Sequence, residues 1–83
     1  MYFAYIIQSE KSLRYYTGSA ANLEDRLNEH NHGETISTKN GIPWRLIHIE
    51  RFESRSEALN KEKEIKSRGA KRYLEDISRK QLG

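Results

Sequence analysis

Three short segments at fixed separations place the strongest constraint on this chain. The segment Phe3–Tyr5 is followed by ten residues and then by Tyr16–Gly18, and Arg26 comes ten positions after Tyr16. Aromatic and β-branched residues around the first two segments predict strands, and the leucine spacing around Arg26 predicts a helix. The chain therefore begins with two tyrosine-bearing strands that lead into a short helix, on which Arg26 and His30 lie one turn apart.

The remaining pattern predicts a β-β-α-β-α-α order. Asn22 and Ser54 are good N-caps, Gly33 and Gly69 are good helix ends, and the polar residues 34–43 predict an irregular connection. We expect strands over residues 2–7, 13–18 and 44–52, and helices over residues 23–31, 55–68 and 70–77. This order predicts an α+β fold, a small three-stranded antiparallel sheet covered by helices. Gly18 ends the second strand, where the backbone either turns sharply or comes close to another group.

Composition narrows the class of protein. A chain of 83 residues with 35% hydrophobic residues predicts one domain, residues 1–83, with a thin core. The sequence contains no cysteine, which excludes disulfides and thiolate metal sites. No apolar run is long enough to span a bilayer, and no signal peptide is evident. We therefore expect a cytoplasmic protein without a membrane partner.

Charge is distributed unevenly along the chain. Residues 1–60 carry seven Lys/Arg against eight Asp/Glu, whereas residues 61–83 carry eight against four. A basic segment of this kind can follow a phosphate backbone. It can also be the solvated surface of a helix, and charge alone favours this second interpretation.

Glu62 is the most informative single position. It falls in the middle of the predicted apolar face of the second helix, which consists of Ala58, Leu59 and Ile65. An inward carboxylate needs a partner, because an unpaired buried charge is costly. The partner could be Arg26 or a nearby lysine in a salt bridge, or Glu62 could lie at the rim of a thin core. The alternative is a divalent metal, since Mg²⁺ is often held by one or two carboxylates and keeps several waters.

The polar residues of the first half also have ordinary explanations when each is taken alone. Tyr5 and Tyr16 suit strands, Arg26 can cover a leucine with its stem, and His30 suits a helix C-terminus. Together with Glu62 they match the needs of phosphodiester hydrolysis, which are a base, a metal and a fixed cation for transition-state charge. A tyrosine of ordinary pKa, about 10, is a poor base at neutral pH and needs positive charge nearby. His30 would offer a second proton acceptor at the boundary between core and surface.

These motifs resemble the GIY-YIG nuclease domain, and within it the small stand-alone proteins of the UPF0213 group. The likeness extends from Phe3 to about Ile77. Residues 37–39 (Ser-Thr-Lys) and 43–46 (Pro-Trp-Arg-Leu) are similar to the small group itself. Gly-Ile-Tyr is replaced here by Phe-Ala-Tyr, and Thr17 stands in the middle of the second motif.

The resemblance implies an α+β nuclease that depends on Mg²⁺ or Mn²⁺ and is related to the excision-repair nuclease UvrC and to homing endonucleases. It implies that Tyr16 is the general base or activates the nucleophile, and that Glu62 holds the metal. Ser19 stands where UvrC carries a lysine and many small relatives carry a tyrosine, so one contact group is missing. The full set of implied catalytic residues is Tyr5, Tyr16, Arg26, His30 and Glu62, and we expect these side chains to converge on one cleft.

DNA is the partner that the resemblance implies, in branched, nicked or single-stranded form, during repair or recombination. A protein partner could supply specificity, and the oligomeric state is left open. The alternative is a nucleic-acid-binding or protein-interaction module that keeps the nuclease fold without turnover. In either case we expect the phosphate backbone to be held by basic residues, namely Lys39, Lys61, Lys66, Arg68, Lys71 and Arg72.

Overall fold

Three strands and three helices form the molecule, with one 3₁₀ helix between α1 and β3. The computed structural model describes residues 1–82, so Gly83 of the predicted domain lies outside the described residues. The expected α+β fold, a three-stranded antiparallel sheet covered by helices, is confirmed. The elements are β1 (Tyr2–Ser9), β2 (Tyr15–Ala20), α1 (Leu23–Asn31), the 3₁₀ helix (Ile36–Gly41), β3 (Trp44–Phe52), α2 (Arg55–Arg68) and α3 (Ala70–Leu82).

β1 is the central strand of the sheet, whose order is β2-β1-β3. Both neighbours run antiparallel to it, and Tyr5 lies opposite Gly18 on β2 and Ile49 on β3. Side chains alternate between the two faces of a sheet. Tyr5 therefore shares one face with Ile7, and the residues before and after Tyr5 belong to the other face. A shift in register between the sixth and seventh residues of the chain marks a bulge in the pairing with β3.

Helices cover both faces of the sheet. On the first face, Leu23 and Leu27 of α1 pack against a cluster that includes Tyr5, Ile7 and Trp44. On the second face, α2 contributes side chains that are fully buried. Ala58 and Ile65, one above the other at helical spacing, form this inward stripe of α2. The sheet thus has a core on each face, and its edges are β2 and β3.

The predicted helix starts are found in the structure. The Asn22 side chain accepts a hydrogen bond from the backbone N–H of Asp25 at 3.0 Å and caps α1. Ser54 and Glu57 form the expected capping box at the start of α2. Gly69 ends α2 with φ of 95°, a backbone conformation that favours glycine.

Five details of the predicted fold are wrong. The first strand continues past residue 7 to Ser9. The second strand is Tyr15–Ala20 rather than residues 13–18, because Leu13 lies in the turn with φ of 65°, and Gly18 does not end the strand. Residues 34–43 are not irregular throughout, since they contain the 3₁₀ helix. Leu59 does not belong to the buried face of α2 and is 37% exposed. α3 continues past residue 77 to Leu82.

Within residues 1–82, no helix has the length and apolar character needed to cross a membrane.

A candidate active site around the edge of β2

The Tyr5 side chain lies across the backbone of β2. A Cβ atom added to Gly18 would sit 2.5 Å from the Tyr5 hydroxyl oxygen and 2.7 Å from the carbon that carries it. Any side chain at position 18 would collide with this ring. Of the two explanations that the sequence left open for Gly18, the structure supports a close approach to another group.

His30 ties the Tyr5 hydroxyl to the 3₁₀ helix. The hydroxyl lies 2.9 Å from His30 Nε2, and His30 Nδ1 lies 2.8 Å from Thr38 Oγ1. Thr38 Oγ1 donates its proton to the Thr35 carbonyl at 3.3 Å, so it accepts the bond from Nδ1. The imidazole is then neutral with its proton on Nδ1, and Nε2 accepts the proton of Tyr5.

Burial keeps both members of this pair uncharged. It raises the pKa of Tyr5 to about 12, Tyr16 adds to the increase, and the Arg26 guanidinium offsets it in part. Burial and the same guanidinium lower the pKa of His30. Tyr5 therefore keeps its proton at neutral pH and is a hydrogen-bond donor rather than a base.

The expectation for the location of His30 is wrong. It was predicted at the boundary between core and surface as a second proton acceptor, but it is 1% exposed. Both of its ring nitrogens already have partners. Sequence periodicity placed it beside the apolar stripe of α1, and the 3₁₀ helix, which was not predicted, closes over it.

Tyr16 is the candidate base that keeps access to solvent. It is half-buried, and its ring meets the edges of the His30 and Trp44 rings at centroid distances of 5.0 and 6.4 Å. Among the described residues its hydroxyl has no hydrogen-bond partner. The Lys66 ammonium lies 5.9 Å from the centroid of its ring. Tyr16 thus combines a hydroxyl without a partner among the described residues and a cation beside its ring.

Arg26 reaches from α1 to the same strand. Its Nη1 lies 3.5 Å from the Ser19 carbonyl oxygen, and its Nε lies 3.3 Å from a Glu29 carboxylate oxygen. The side chain is 42% exposed, so part of the guanidinium fork remains open to solvent. An open guanidinium of this kind can bind phosphate oxygens.

Glu62 approaches β2 from the α2 side of the sheet. Ser19 Oγ donates to Glu62 Oε1 at 2.6 Å, and Lys66 Nζ lies 2.7 Å from Oε2. Burial alone would raise the pKa of Glu62, but the hydrogen bonds from Lys66 and Ser19 outweigh it and hold the pKa below its ordinary value. The carboxylate is therefore ionised at neutral pH. Of the interpretations that the sequence left open, a salt bridge with Arg26 is absent among the described residues, and the pairing with a lysine is present.

The expectation that all five catalytic side chains converge on one cleft is wrong, because the candidate residues lie around the edge of β2 and not on one face of the sheet. Strand alternation puts Tyr16 on the α1 face, whereas Ser19, which holds Glu62, points to the α2 face. Lys66 connects the two sets, because it contacts both the Glu62 carboxylate and the Tyr16 ring. Arg26 approaches the same edge from α1. Tyr5 and His30 form the buried support behind this edge.

A basic groove leads into this edge. It has a volume of about 660 Å³ and runs between β2 and the corner where α2 meets α3. Besides Tyr15, Tyr16 and Thr17, its lining includes the cationic residues Arg14, Lys66, Arg68, Lys71 and Arg72. Four of the six basic residues that we expected to hold phosphate thus line one groove.

Two of the predicted basic residues do not line this groove, and one that lines it was missed. Lys39 lies on the 3₁₀ helix. Lys61 is paired with Glu64 at 3.1 Å and approaches Glu50 at 3.9 Å. Arg14 was overlooked because it lies within residues 1–60, which carry no excess of positive charge. Its position just before the tyrosines of β2 was the signal that could have found it.

The residues fit a metal held by a single carboxylate. Within the described part of the chain, no group of three or more His, Cys, Asp or Glu side chains could hold an ion. Glu62 is ionised, and each of its two oxygens accepts one hydrogen bond from Ser19 or Lys66. Because a carboxylate oxygen has a second lone pair, capacity for a hard cation remains.

Comparison with known proteins identifies the family. A family model described as the GIY-YIG catalytic domain matches residues 1–74. The chain belongs to the GIY-YIG family. This is a family of nuclease domains, and the matched residues include every candidate catalytic position and the groove-lining residues.

Similar chains place this GIY-YIG protein in the UPF0213 group. It is 44% identical over 68 residues to a UPF0213 protein of Haloquadratum walsbyi, a match that covers 80% of this chain and 74% of the relative. A UPF0213 protein of Natronomonas pharaonis is 47% identical over 53 residues, covering 63% and 62% of the two chains. One from Staphylococcus saprophyticus is 37% identical over 78 residues, covering 93% and 94%. No solved structure is significantly similar to this chain.

Proposed function

We propose that this protein is a metal-dependent endonuclease that hydrolyses DNA phosphodiester bonds at the edge of β2. The observation that carries the proposal is that Tyr16, Arg26 and Glu62 lie around one edge strand, β2. The basic groove opens beside this strand. GIY-YIG membership supports the reaction class.

In this proposal the strand backbone lies in the basic groove with the scissile phosphate beside Tyr16. Tyr16 is the general base that takes a proton from the attacking water, whose oxygen forms the new bond to phosphorus. The Arg26 guanidinium contacts the phosphate oxygens as negative charge builds up on them. The phosphorus–oxygen bond breaks, and the leaving oxygen takes a proton from solvent, which the open groove admits.

Tyr5 and His30 act from behind this edge. They are buried and neutral, so their role is to hold β2, α1 and the 3₁₀ helix in a fixed arrangement. Glu62 would hold Mg²⁺ or Mn²⁺, with Ser19 orienting the carboxylate. When bound, such an ion supplies Lewis-acid stabilisation of the phosphate charge.

A cleavage assay tests the proposal. The purified protein is incubated with linear, nicked, branched and single-stranded DNA in magnesium, manganese or chelator, and the Tyr16→Phe variant is run beside it. We expect cleavage that requires metal and is lost in the variant. Tyr2→Phe is the matched control, because this tyrosine of β1 does not line the basic groove. Chelator-resistant cleavage, or full activity in Tyr16→Phe, would contradict the proposal.

One observation favours a second candidate, a DNA-binding module without turnover. Lys66 lies 2.7 Å from the Glu62 carboxylate, where it competes with a metal for the same oxygens. The basic groove would then bind the backbone without hydrolysis. DNA binding that persists in chelator, with no cleavage of any substrate, is the result expected of this candidate.

We infer a cytoplasmic role in DNA repair or recombination, because both processes use enzymes that hydrolyse DNA phosphodiester bonds. The chain forms a single catalytic domain in this proposal, and a protein partner supplies substrate specificity. Co-purification with and without nuclease treatment distinguishes a direct protein partner from one that is bridged by DNA.

A further inference from the structure

A second cavity lies beside Tyr16, on the side where β2 meets the 3₁₀ helix. Its volume is about 250 Å³, and it is more enclosed than the basic groove. The tyrosines of β2 and Trp44 contribute aromatic walls, and Ser37 and Asn40 of the 3₁₀ helix contribute polar groups. Pockets for drug-sized ligands are about 300–1,000 Å³, so this cavity suits a smaller planar group.

The aromatic wall of this cavity is held rigidly. The Trp44 indole N–H donates to the Thr38 carbonyl at 2.7 Å, and the ring is 8% exposed. A Cβ added to Gly41 would lie 2.4 Å from the Trp44 ring, so this glycine lets the 3₁₀ helix press against the indole. Asn31 fixes the backbone of the same residue, accepting from Trp44 N–H at 2.6 Å and donating to its carbonyl at 3.1 Å. A preformed wall of this kind costs little ordering when a flat ligand binds.

The polar groups at the cavity are free to bind. Ser37 and Asn40 are exposed, and among the described residues neither side chain makes a hydrogen bond. A carboxamide carries donors and an acceptor together, which matches the paired donors and acceptors on the edge of a nucleobase. No acidic side chain lines the cavity, so an approaching phosphate would not be repelled.

This cavity adjoins the basic groove. Arg14, Tyr15 and Tyr16 line both. A nucleotide whose phosphate lies near Arg14 can therefore turn its base into the cavity while the adjoining backbone continues along the groove. Aromatic rings that bind bases by stacking are a common device of proteins that recognise unpaired strands.

We propose that this cavity is a base pocket, which receives one unpaired nucleobase of the DNA strand that lies in the basic groove. The inference rests on the proposed function for the identity of the polymer. The tyrosines of β2 contact the face of the base, the small exposed part of Trp44 contacts its edge, and Asn40 bonds its polar edge. A base within a duplex has to leave its stack to enter, so unpaired positions bind at lower cost.

Trp44 is the one tryptophan of the chain, so its fluorescence reports directly on the base pocket. The probes are short single-stranded oligonucleotides of one sequence, each with a single abasic site at a different position. We expect the intact oligonucleotide to change the Trp44 emission, and one abasic position to weaken its binding about tenfold, as loss of one stacked base predicts. Equal binding by all abasic probes, or no change in emission with any probe, would overturn the base pocket.

Substitution of Asn40 tests whether the loss of binding at the sensitive abasic position arises in this cavity. We expect Asn40→Ala to weaken binding of the intact probe several-fold and to reduce the penalty at the sensitive abasic position. Asn60→Ala, an exposed asparagine on α2, is the matched control and should behave as wild type. Ser37→Phe, which fills the cavity, should abolish the abasic penalty altogether. Unchanged penalties in both pocket variants would overturn the assignment.

The titration needs no turnover, so it separates this inference from the proposed catalysis. A position-specific abasic penalty in a protein that never cleaves DNA would support the base pocket and contradict the nuclease proposal. Metal-dependent cleavage with no abasic penalty at any position would support the nuclease proposal and contradict the base pocket.

Discussion

His30 joins three elements through its two ring nitrogens, and this makes it the structural centre of the site. It receives the Tyr5 proton from β1, belongs to α1, and donates to Thr38 of the 3₁₀ helix. A fully buried side chain with both nitrogens bonded restricts the rotamers of its partners. We therefore assign His30 to positioning rather than to proton transfer.

The depressed pKa of His30 makes stability depend on pH. Between its folded pKa and the ordinary value of about 6.5, the unfolded chain binds more protons than the folded one. The contribution of His30 to stability is therefore complete above about pH 6.5 and falls as the pH drops below it. We therefore expect the melting temperature of the wild type to decrease as the pH is lowered below about 6.5. His30→Gln should flatten the dependence, whereas the exposed His32→Gln should keep it, and identical pH profiles for the two variants would contradict the assignment.

Arg26 should matter for turnover more than for stability. Its side chain is 42% exposed, and among the described residues its one ion pair is with Glu29 on the same helix, a pair worth about 0.3–0.5 kcal/mol. We expect Arg26→Ala to melt near the wild-type temperature and to lower kcat about 10²–10³-fold, the usual loss of one transition-state donor. Arg26→Lys should restore little of the lost kcat, because an ammonium lacks the planar two-pronged donor set of a guanidinium. Arg51→Ala on β3 is the control, and wild-type cleavage by Arg26→Lys would show that a point charge suffices.

Glu62→Gln separates a metal ligand from a structural ion pair. The substitution keeps the Ser19 hydrogen bond and loses the ion pair with Lys66, whose side chain is 52% exposed. We expect the melting temperature to change by no more than about 4 °C, because such a pair contributes about 0.5 kcal/mol or less. Cleavage should be lost, and magnesium should no longer raise the melting temperature through linkage.

Glu64→Gln provides the comparison for this experiment. Glu64 is on the same helix and also pairs with a lysine, but it lies outside the site. This variant should keep both cleavage and stabilisation by magnesium. A Glu62→Gln protein that is strongly destabilised yet still cleaves DNA would end the metal-ligand assignment.

At the scale of elements, local signals were sufficient for the helices. The side chains of Asn22 and Ser54 satisfy backbone N–H groups that any helix start leaves unpaired, so they mark helix starts in any tertiary context. Gly69 ends α2 for a similarly local reason. These features predicted α1 and α2 to the residue, and β3 was predicted from its composition alone.

Local signals failed where tertiary contacts decide the structure. Leu13 was assigned to the second strand because it is apolar, but it takes φ of 65° in the turn, where its backbone N–H donates to the Ser9 carbonyl at 2.9 Å. The 3₁₀ helix has a polar sequence, and the contacts that stabilise it come from His30 and Trp44. Helical periodicity predicted that Leu59 is buried, but it lies roughly 100° around α2 from the buried stripe of Ala58 and Ile65 and is exposed.

The candidate site was predicted only in part, because its geometry also depends on contacts between elements. Sequence order identified the residues, since their types and spacing resemble a known family. It did not show that Tyr5 and His30 bond to each other, because that contact joins residues 25 positions apart. Nor did it show that Ser19 orients Glu62 from the adjacent strand. Contacts between elements depend on register and helix placement, which a single sequence does not specify.

The corner between α2 and α3 is the element that should set the salt dependence of DNA binding. Lys71 and Arg72 line the basic groove there. Replacing both with Ala should reduce the slope of log K against log salt by about 1.8 for duplex DNA, or about 1.4 for a single strand. The control replaces Arg45 and Arg51, which are exposed on β3 outside the groove. An unchanged slope in the Lys71/Arg72 variant would leave this corner as ordinary solvated surface.

At the scale of the whole molecule, the two edges of the sheet differ in what they carry. The β2 edge has the candidate site, the basic groove and the proposed base pocket. The β3 side has a separate polar cluster, in which Glu50 accepts bonds from Tyr73 and His48 and lies 3.9 Å from Lys61. This cluster fastens α2 and α3 to the sheet. It thereby holds the corner of the basic groove in place from the far side.

The central position of β1 also determines when the sheet can form during synthesis. β1 is made first, and its hairpin partner β2 follows within a few residues, so this contact is local and fast to close. Tyr2 pairs with Phe52 on β3, however, and pairings so distant in sequence close slowly. Until β3 has left the ribosome, one edge of β1 has unpaired backbone groups that can bind other chains. The emerging chain therefore passes through an interval in which it is prone to aggregation, and this interval ends only when Phe52 becomes available.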